Sequence, residues 1–129
     1  MATILLVDDE AAVVARNVAA LDAAGHDVTA VSNVTAALAT LRRDLPDVVI
    51  LEAMLDGGLA GFGLARALAR RYPELPLIML TRVDEHIGDD ELARQDRDGG
   101  WLPVERYLQK PVMPEVLAYE VGHLLSAAA

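Results

Sequence analysis

The 129-residue chain has no cysteine, which excludes a disulfide framework and a thiolate metal site. No apolar stretch approaches the ~20 residues that a membrane-spanning helix needs. The N-terminus lacks a basic segment followed by an apolar one, the mark of export, so a cytoplasmic location is expected. Positive charge is scarce, and the formal net charge is −9. Phosphate backbones require a basic surface, so no direct nucleic-acid partner is expected, and no membrane partner either. Lysine is rarer still: Lys110 is the only one among eleven basic residues. A Gly-x-x-x-x-Gly-Lys phosphate loop is absent as well.

Apolar side chains are plentiful. They make up 53% of the chain, with a mean hydropathy of +0.29, which excludes disorder and implies a well-filled core. The length fits a single domain over residues 1–129. Apolar runs alternate with helical spacing. Thr3–Val7, Asp27–Val31, Val48–Leu51, Leu75–Leu80 and Arg106–Gln109 read as strands. Helical segments run from about Glu10 to Ala24, from Val34 to about Asp44 behind an Asn33 cap, and over about Leu59–Arg71. A last helix opens with Pro114 at its first position and carries Leu117, Val121 and Leu124 on one stripe.

This alternation predicts an α/β fold, a parallel five-stranded sheet wound on both faces by helices through right-handed crossovers. Val48–Leu51, continuous and β-branched, suits a central strand buried on both faces. Residues 83–103 break the pattern. They are polar, acidic and turn-rich, with one short helical candidate near Asp89–Arg94, and are expected to form an insertion or irregular segment.

The strands stop abruptly on polar residues. Ile4–Val7 ends at Asp8-Asp9-Glu10, Val48–Leu51 at Glu52, Leu75–Leu80 at Thr81 and the fifth strand at Lys110. A parallel sheet lines such residues along one edge, where open α/β folds build their sites. An acid pair, a central carboxylate, a hydroxyl and an ammonium are together the parts of a phosphoryl-transfer site on a carboxylate. Singly each has a plainer reading: an Asp after a strand is often a helix cap, and a Thr is a good strand former. The order on successive strands carries the argument.

On Ile4-Leu5-Leu6-Val7-Asp8-Asp9-Glu10, Asp47 to Leu55, Pro76 to Thr81 and Tyr107-Leu108-Gln109-Lys110-Pro111-Val112, the chain resembles a response-regulator receiver domain over essentially its full length. The resemblance implies a (βα)5 fold with the flavodoxin-like strand order 2-1-3-4-5. It implies that Asp8, Asp9 and the Met54 backbone carbonyl are ligands of Mg²⁺, and that Glu52 stands at the phosphoacceptor position. Thr81 and Lys110 would meet phosphoryl oxygens, Tyr107 would be the aromatic that turns inward on activation, and Arg82 would gate access. The implied partners are a sensor histidine kinase or phosphotransfer protein and a downstream protein target. A homodimer would use helix four, strand five and helix five of that fold. The module would stand alone in a two-component phosphorelay and would not be an enzyme, beyond the family's self-catalysed phosphoryl transfer.

The departures from the pattern matter. The family phosphorylates aspartate, and glutamate is longer by one C–C bond, about 1.5 Å. A misplacement of about 1 Å can cost roughly 10²-fold in an aligned attack. Transfer to Glu52 is therefore expected to be slow or absent, Mg²⁺ binding weakened, and the longer carboxylate is expected to press on the metal position or reach Lys110 directly. That describes a pseudo-receiver or phospho-mimic. Two alternatives stay open: an ordinary receiver carrying an engineered Asp-to-Glu change, and a metal-independent docking module. Asp56 stands where the family usually has proline, and the loop from Glu52 to Gly61 is one residue longer than usual. A haloacid-dehalogenase-type phosphatase would need Asp-x-Asp after strand one, and an FMN-binding flavodoxin would need a Ser/Thr-rich loop there. Asp8-Asp9-Glu10 is neither.

Overall fold

A computed structural model describes residues 2–58, 60–81, 104 and 106–128. Five strands and four helices follow one another as β1 (Thr3–Val7), α1 (Ala11–Ala23), β2 (Asp27–Val31), α2 (Val34–Arg43), β3 (Val48–Glu52), α3 (Ala60–Arg71), β4 (Leu77–Thr81), β5 (Arg106–Gln109) and α4 (Pro114–Ala128). The segment expected to be irregular, with its helical candidate and Arg82, lies outside the described residues.

Local chemistry sets the boundaries. Asn33 is extended, and its side chain accepts the Ala36 N–H at 2.8 Å, which opens α2. Gly25, at φ +92°, turns the chain out of α1 while the Asp22 carbonyl accepts its N–H at 2.9 Å. β4 begins later than its apolar run suggests. Pro76 has no N–H to give a ladder, although its carbonyl accepts the Val49 N–H at 3.1 Å. Leu75 is instead held in a turn by the Tyr72 carbonyl at 3.0 Å. At their other ends β3 and β4 each run one residue past the apolar stretch, taking in Glu52 and Thr81.

All strand pairs are parallel, in the order β2-β1-β3-β4-β5. Successive side chains on a strand point to opposite faces, so the core divides in two. Leu5, Val7, Val49, Leu51, Leu77 and Met79 pack with Ala37 and Leu41 of α2 and with Phe62, Ala65 and Leu68 of α3. Ile4, Leu6, Val48, Ile50, Ile78 and Leu80 pack with Leu21 of α1 and with Leu117, Val121 and Leu124 of α4. β3 is buried along its whole length, as its continuous apolar sequence requires. Val7 pairs with Leu51, Glu52 with Leu80 and Thr81 with Gln109. This register brings Asp8, Glu52, Thr81 and Lys110 to the carboxyl edge of four adjacent strands.

The β3–α3 connection depends on backbone that few residues tolerate. The Leu55 carbonyl accepts the Gly58 N–H at 3.0 Å across Asp56 (φ 57°) and Gly57 (φ 75°), a turn with two left-handed central residues. Proline is locked near φ −65° and cannot occupy the Asp56 position. Aspartate there and the extra loop residue are therefore two parts of one local conformation. Gly61 then returns to β3, donating its N–H to the Ala53 carbonyl at 2.9 Å. A Cβ on Gly61 would collide with the Glu52 carbonyl oxygen and lie 2.6 Å from the Ala53 Cα, and both are backbone atoms.

Two glycines of α3 should consequently behave in opposite ways. Gly61→Ala is expected to destabilise the protein by about 1–3 kcal/mol through overpacking. Gly63→Ala, whose Cβ would meet nothing within 4 Å, is expected to stabilise it by about 0.5–1 kcal/mol. Urea unfolding of both variants measures the contrast. Equal effects would mean that the approach of α3 to β3 is not a constraint.

Candidate functional site

β5 hands Lys110 to the carboxyl edge of the sheet, and a cis peptide bond joins it to Pro111. The Lys110 ammonium lies 2.9 Å from Asp8 Oδ2, 3.0 Å from Glu10 Oε2 and 2.7 Å from Glu52 Oε2. Asp8, Glu52 and Lys110 are all buried, Glu52 completely. The remaining carboxylate oxygens are also engaged. Asp8 Oδ1 accepts the Glu10 N–H at 3.0 Å, and Glu52 Oε1 accepts the Met54 N–H at 3.2 Å.

Three carboxylates around one ammonium leave an excess of negative charge away from water, and this is visible in the acidities. Burial pushes the Glu52 carboxyl above its ordinary range, and the nearby Asp8 charge adds to the push. Lys110 and the Met54 amide pull it back without cancelling the rise. For Lys110 burial alone would lower the ammonium. Its bonds to Glu52, Asp8 and Glu10 outweigh that, so it titrates above its ordinary value and stays charged.

Three of the residues singled out by sequence therefore meet: Asp8, Glu52 and Lys110. Asp9 does not join them. It is exposed. Met54 is half-buried and contributes its N–H to Glu52. Tyr107 is half-buried and packs on the α2–α3 side of the core. Thr81 ends β4 in register with Gln109, and its hydroxyl lies outside the described residues, as does Arg82.

The site also contains Glu10, which the sequence places in the strand-end acid run and at the start of a helix but to which no site role was given. Glu10 occupies the position before α1 but its side chain does not cap the helix. It reaches Lys110 instead. A Glu at a position where Ser, Thr, Asp or Asn is preferred was the available signal.

Two substitutions probe this balance. Lys110→Met leaves two buried carboxylates without a counter-charge and is expected to cost about 3–5 kcal/mol in unfolding free energy. Glu52→Gln leaves Lys110 paired with Asp8 and Glu10. Because the folded-state value of Glu52 lies above the ordinary 4.5, the stability it contributes is complete below pH 4.5 and is lost as pH rises through the folded value. Glutamine resembles the protonated form. Glu52→Gln should match the parent protein in acid and exceed it in stability at neutral pH. Thermal melts across pH test this, and a neutral-pH loss would mean that the ion pair outweighs the burial cost.

Comparison with known proteins agrees with this geometry. The family model "Response regulator receiver domain" matches residues 4–121. The phosphate regulon transcriptional regulatory protein PhoB of Pseudomonas aeruginosa is 34% identical over 125 residues, which is 95% of this chain and 51% of PhoB. Like PhoB, the first curated relatives it matches are about twice the length of this chain. Protein PilH of the same organism is 32% identical over 129 residues and is covered over 99% of its own length. A response regulator receiver domain protein from Clostridium thermocellum superposes with a TM-score of 0.79 at 25% identity, covering 98% of this chain and 96% of that one. A sheet ordered 2-1-3-4-5, with acid, carboxylate and lysine at the carboxyl ends of its strands, is thus matched by a family model over nearly the whole sequence, and the chain belongs to the response-regulator receiver domains of two-component signalling, which are signalling modules rather than enzymes.

Proposed function

We propose that this chain is a receiver held in one signalling state by Glu52, acting through protein contacts without becoming phosphorylated. The observation that carries this reading is the 2.7 Å ion pair between the fully buried Glu52 and Lys110. A carboxylate that is to attack a phosphoryl donor needs a free oxygen aimed at it. Here one Glu52 oxygen faces the ammonium and the other accepts the Met54 amide. The extra C–C bond of glutamate, about 1.5 Å, spans the distance that a phosphoryl group would otherwise occupy. One negative charge stands in for nearly two, so the imitation is partial. Tyr107, packed against the core, agrees with a switched arrangement.

Receiver domains bind Mg²⁺ at their phosphorylation site. The oxygens of Asp8, Asp9, Glu10 and the Met54 carbonyl are hard donors of the kind Mg²⁺ takes. As arranged they do not fit the ion: Lys110 already draws on Asp8, Glu10 and Glu52, and the described residues include no group of three or more acidic, His or Cys side chains set to hold a metal. In this reading the ammonium supplies the positive charge.

Receiver domains work with histidine kinases and downstream effectors. For this chain we assign a phosphotransfer or kinase partner to the open groove of about 450 Å³ beside Asp8 and Asp9, where Ala11, Ala15, Ala30 and Ala36 let a helix approach closely. We assign a homodimer to helix four of the family fold, which lies outside the described residues, with β5 and α4, where Val116 and Tyr119 of α4 and Met113 just before it are exposed. No helix among the described residues is long and apolar enough to cross a membrane.

Incubation with acetyl phosphate and Mg²⁺ followed by intact mass measurement tests the central reading. Glu52→Asp should gain the roughly 80 Da of a phosphoryl group. The parent chain should not, and efficient modification of the parent would overturn the proposal.

A further inference from the structure

Charge is distributed unevenly between the two faces of the sheet. α2 carries Arg42 and Arg43, and α3 carries Arg66, Arg70 and Arg71; neither helix contains an acidic residue. Five of the eleven basic residues of a chain with net charge −9 thus lie on one pair of neighbouring helices. α1 and α4, across the sheet, hold Arg16, Asp22, Glu115 and Glu120. Among the described residues no carboxylate pairs with Arg42, Arg43, Arg70 or Arg71.

Between α2 and α3 lies an open groove of about 390 Å³. Its floor is Leu38, Leu41, Ala67 and Leu68, and Arg42 and Arg71 stand at its rim. Leu38 is 37% exposed there, an apolar side chain that the fold leaves uncovered. Both rim arginines are positioned. Arg42 Nε donates to the Leu38 carbonyl at 3.3 Å, and the Arg71 guanidinium lies over the Tyr72 ring, 5.8 Å from its centroid. Arginines in a last helical turn suit the carbonyl end of the helix dipole, which accounts for their sign. It does not account for the lack of any acid on either helix, or for the exposed Leu38 between them.

We propose that the α2–α3 groove docks an acidic amphipathic helix of a partner protein. The lining spans Leu38 to Arg42 of α2 and Ala67 to Arg71 of α3, roughly 6–8 Å at 1.5 Å per residue, enough for one to two turns of a partner helix. Apolar side chains spaced i, i+3 or i+4, i+7 would fill the floor. Asp or Glu flanking that stripe would face Arg42 and Arg71. Nucleic acid and anionic membrane fit less well. Both present extended phosphate arrays, which make no use of an exposed leucine set between two arginines. The groove lies at the C-terminal ends of α2 and α3, whereas Glu52 and Lys110 lie at the carboxyl edge of the sheet, so it stands or falls independently of the phosphorylation reading.

The probe is a fluorescent amphipathic peptide of about 15 residues, with a leucine stripe flanked by glutamates, and a twin with lysine at every glutamate. Binding to the full chain is read by anisotropy and by amide chemical-shift changes. The acidic peptide should bind, more weakly as salt rises, and should shift Leu38, Ala67 and Arg71. Reversing both exposed rim charges (Arg42→Glu with Arg71→Glu) should weaken it roughly tenfold or more. Leu38→Ser should weaken it without changing the salt dependence, and circular dichroism checks that the variants are folded. Equal binding of the lysine peptide, shifts elsewhere, indifference to the charge reversal, or no binding at millimolar peptide would each overturn the proposal. So would phosphatidylglycerol vesicles or duplex DNA engaging these arginines when the acidic peptide does not.

Discussion

One ammonium among three carboxylates organises this molecule. Lys110 reaches Asp8, Glu10 and Glu52 from the end of β5, and those acids come from the ends of β1 and β3 and the start of α1. Burying two of the carboxylates would be prohibitive without a counter-charge, and a buried ammonium would be equally costly alone. Each makes the other tolerable. The cluster joins the first, third and fifth strands, which are distant in sequence, at the edge where the sheet is open. Coulomb attraction in a site shielded from water does there what apolar packing does between the strands.

Geometry upstream decides how Glu52 presents itself. Gly61 allows the α3 N-terminus to close on the backbone of Glu52 and Ala53, and the left-handed turn at Asp56-Gly57 supplies the path. With the loop closed, Glu52 stays buried and its length carries it to the lysine. An aspartate at the same position would stop short by about 1.5 Å. In the proposed reading, glutamate exchanges an empty phosphoryl position for a filled ion pair, and the chemistry of a transfer site becomes the electrostatics of a fixed one.

In the proposed readings, the two sides of the sheet divide the work of recognition. The small-residue groove beside Asp8 and the exposed apolar residues of α4 belong to the surfaces that the receiver reading uses. The arginine-rimmed groove of α2 and α3 answers to nothing in that reading. In a chain this acidic, a concentration of positive charge creates a local field of its own sign, and such a field selects partners before contact is made.

Much of this was legible in the residues. Buried parallel strands must be continuous apolar runs, so β1, β3 and β4 announce themselves and their polar ends mark the edge of the sheet. Asn33, Gly25 and Pro114 punctuate the helices for local reasons that need no fold. Other features were hidden because they depend on side-chain direction or on neighbours far along the chain. Asp8 and Asp9 are equivalent as letters, yet one is buried against Lys110 and the other faces solvent. Glu10 reads as a helix start until Lys110 arrives from 100 residues away. The start of β4 moved because Pro76 lacks a ladder donor. Sequence by itself determined the alternation of elements and the strand-end chemistry, Glu52 included, all of which are short-range properties of the chain. Tertiary structure alone decided which acids share the lysine and which arginines share a groove, because burial and Coulomb energy depend on distance in space.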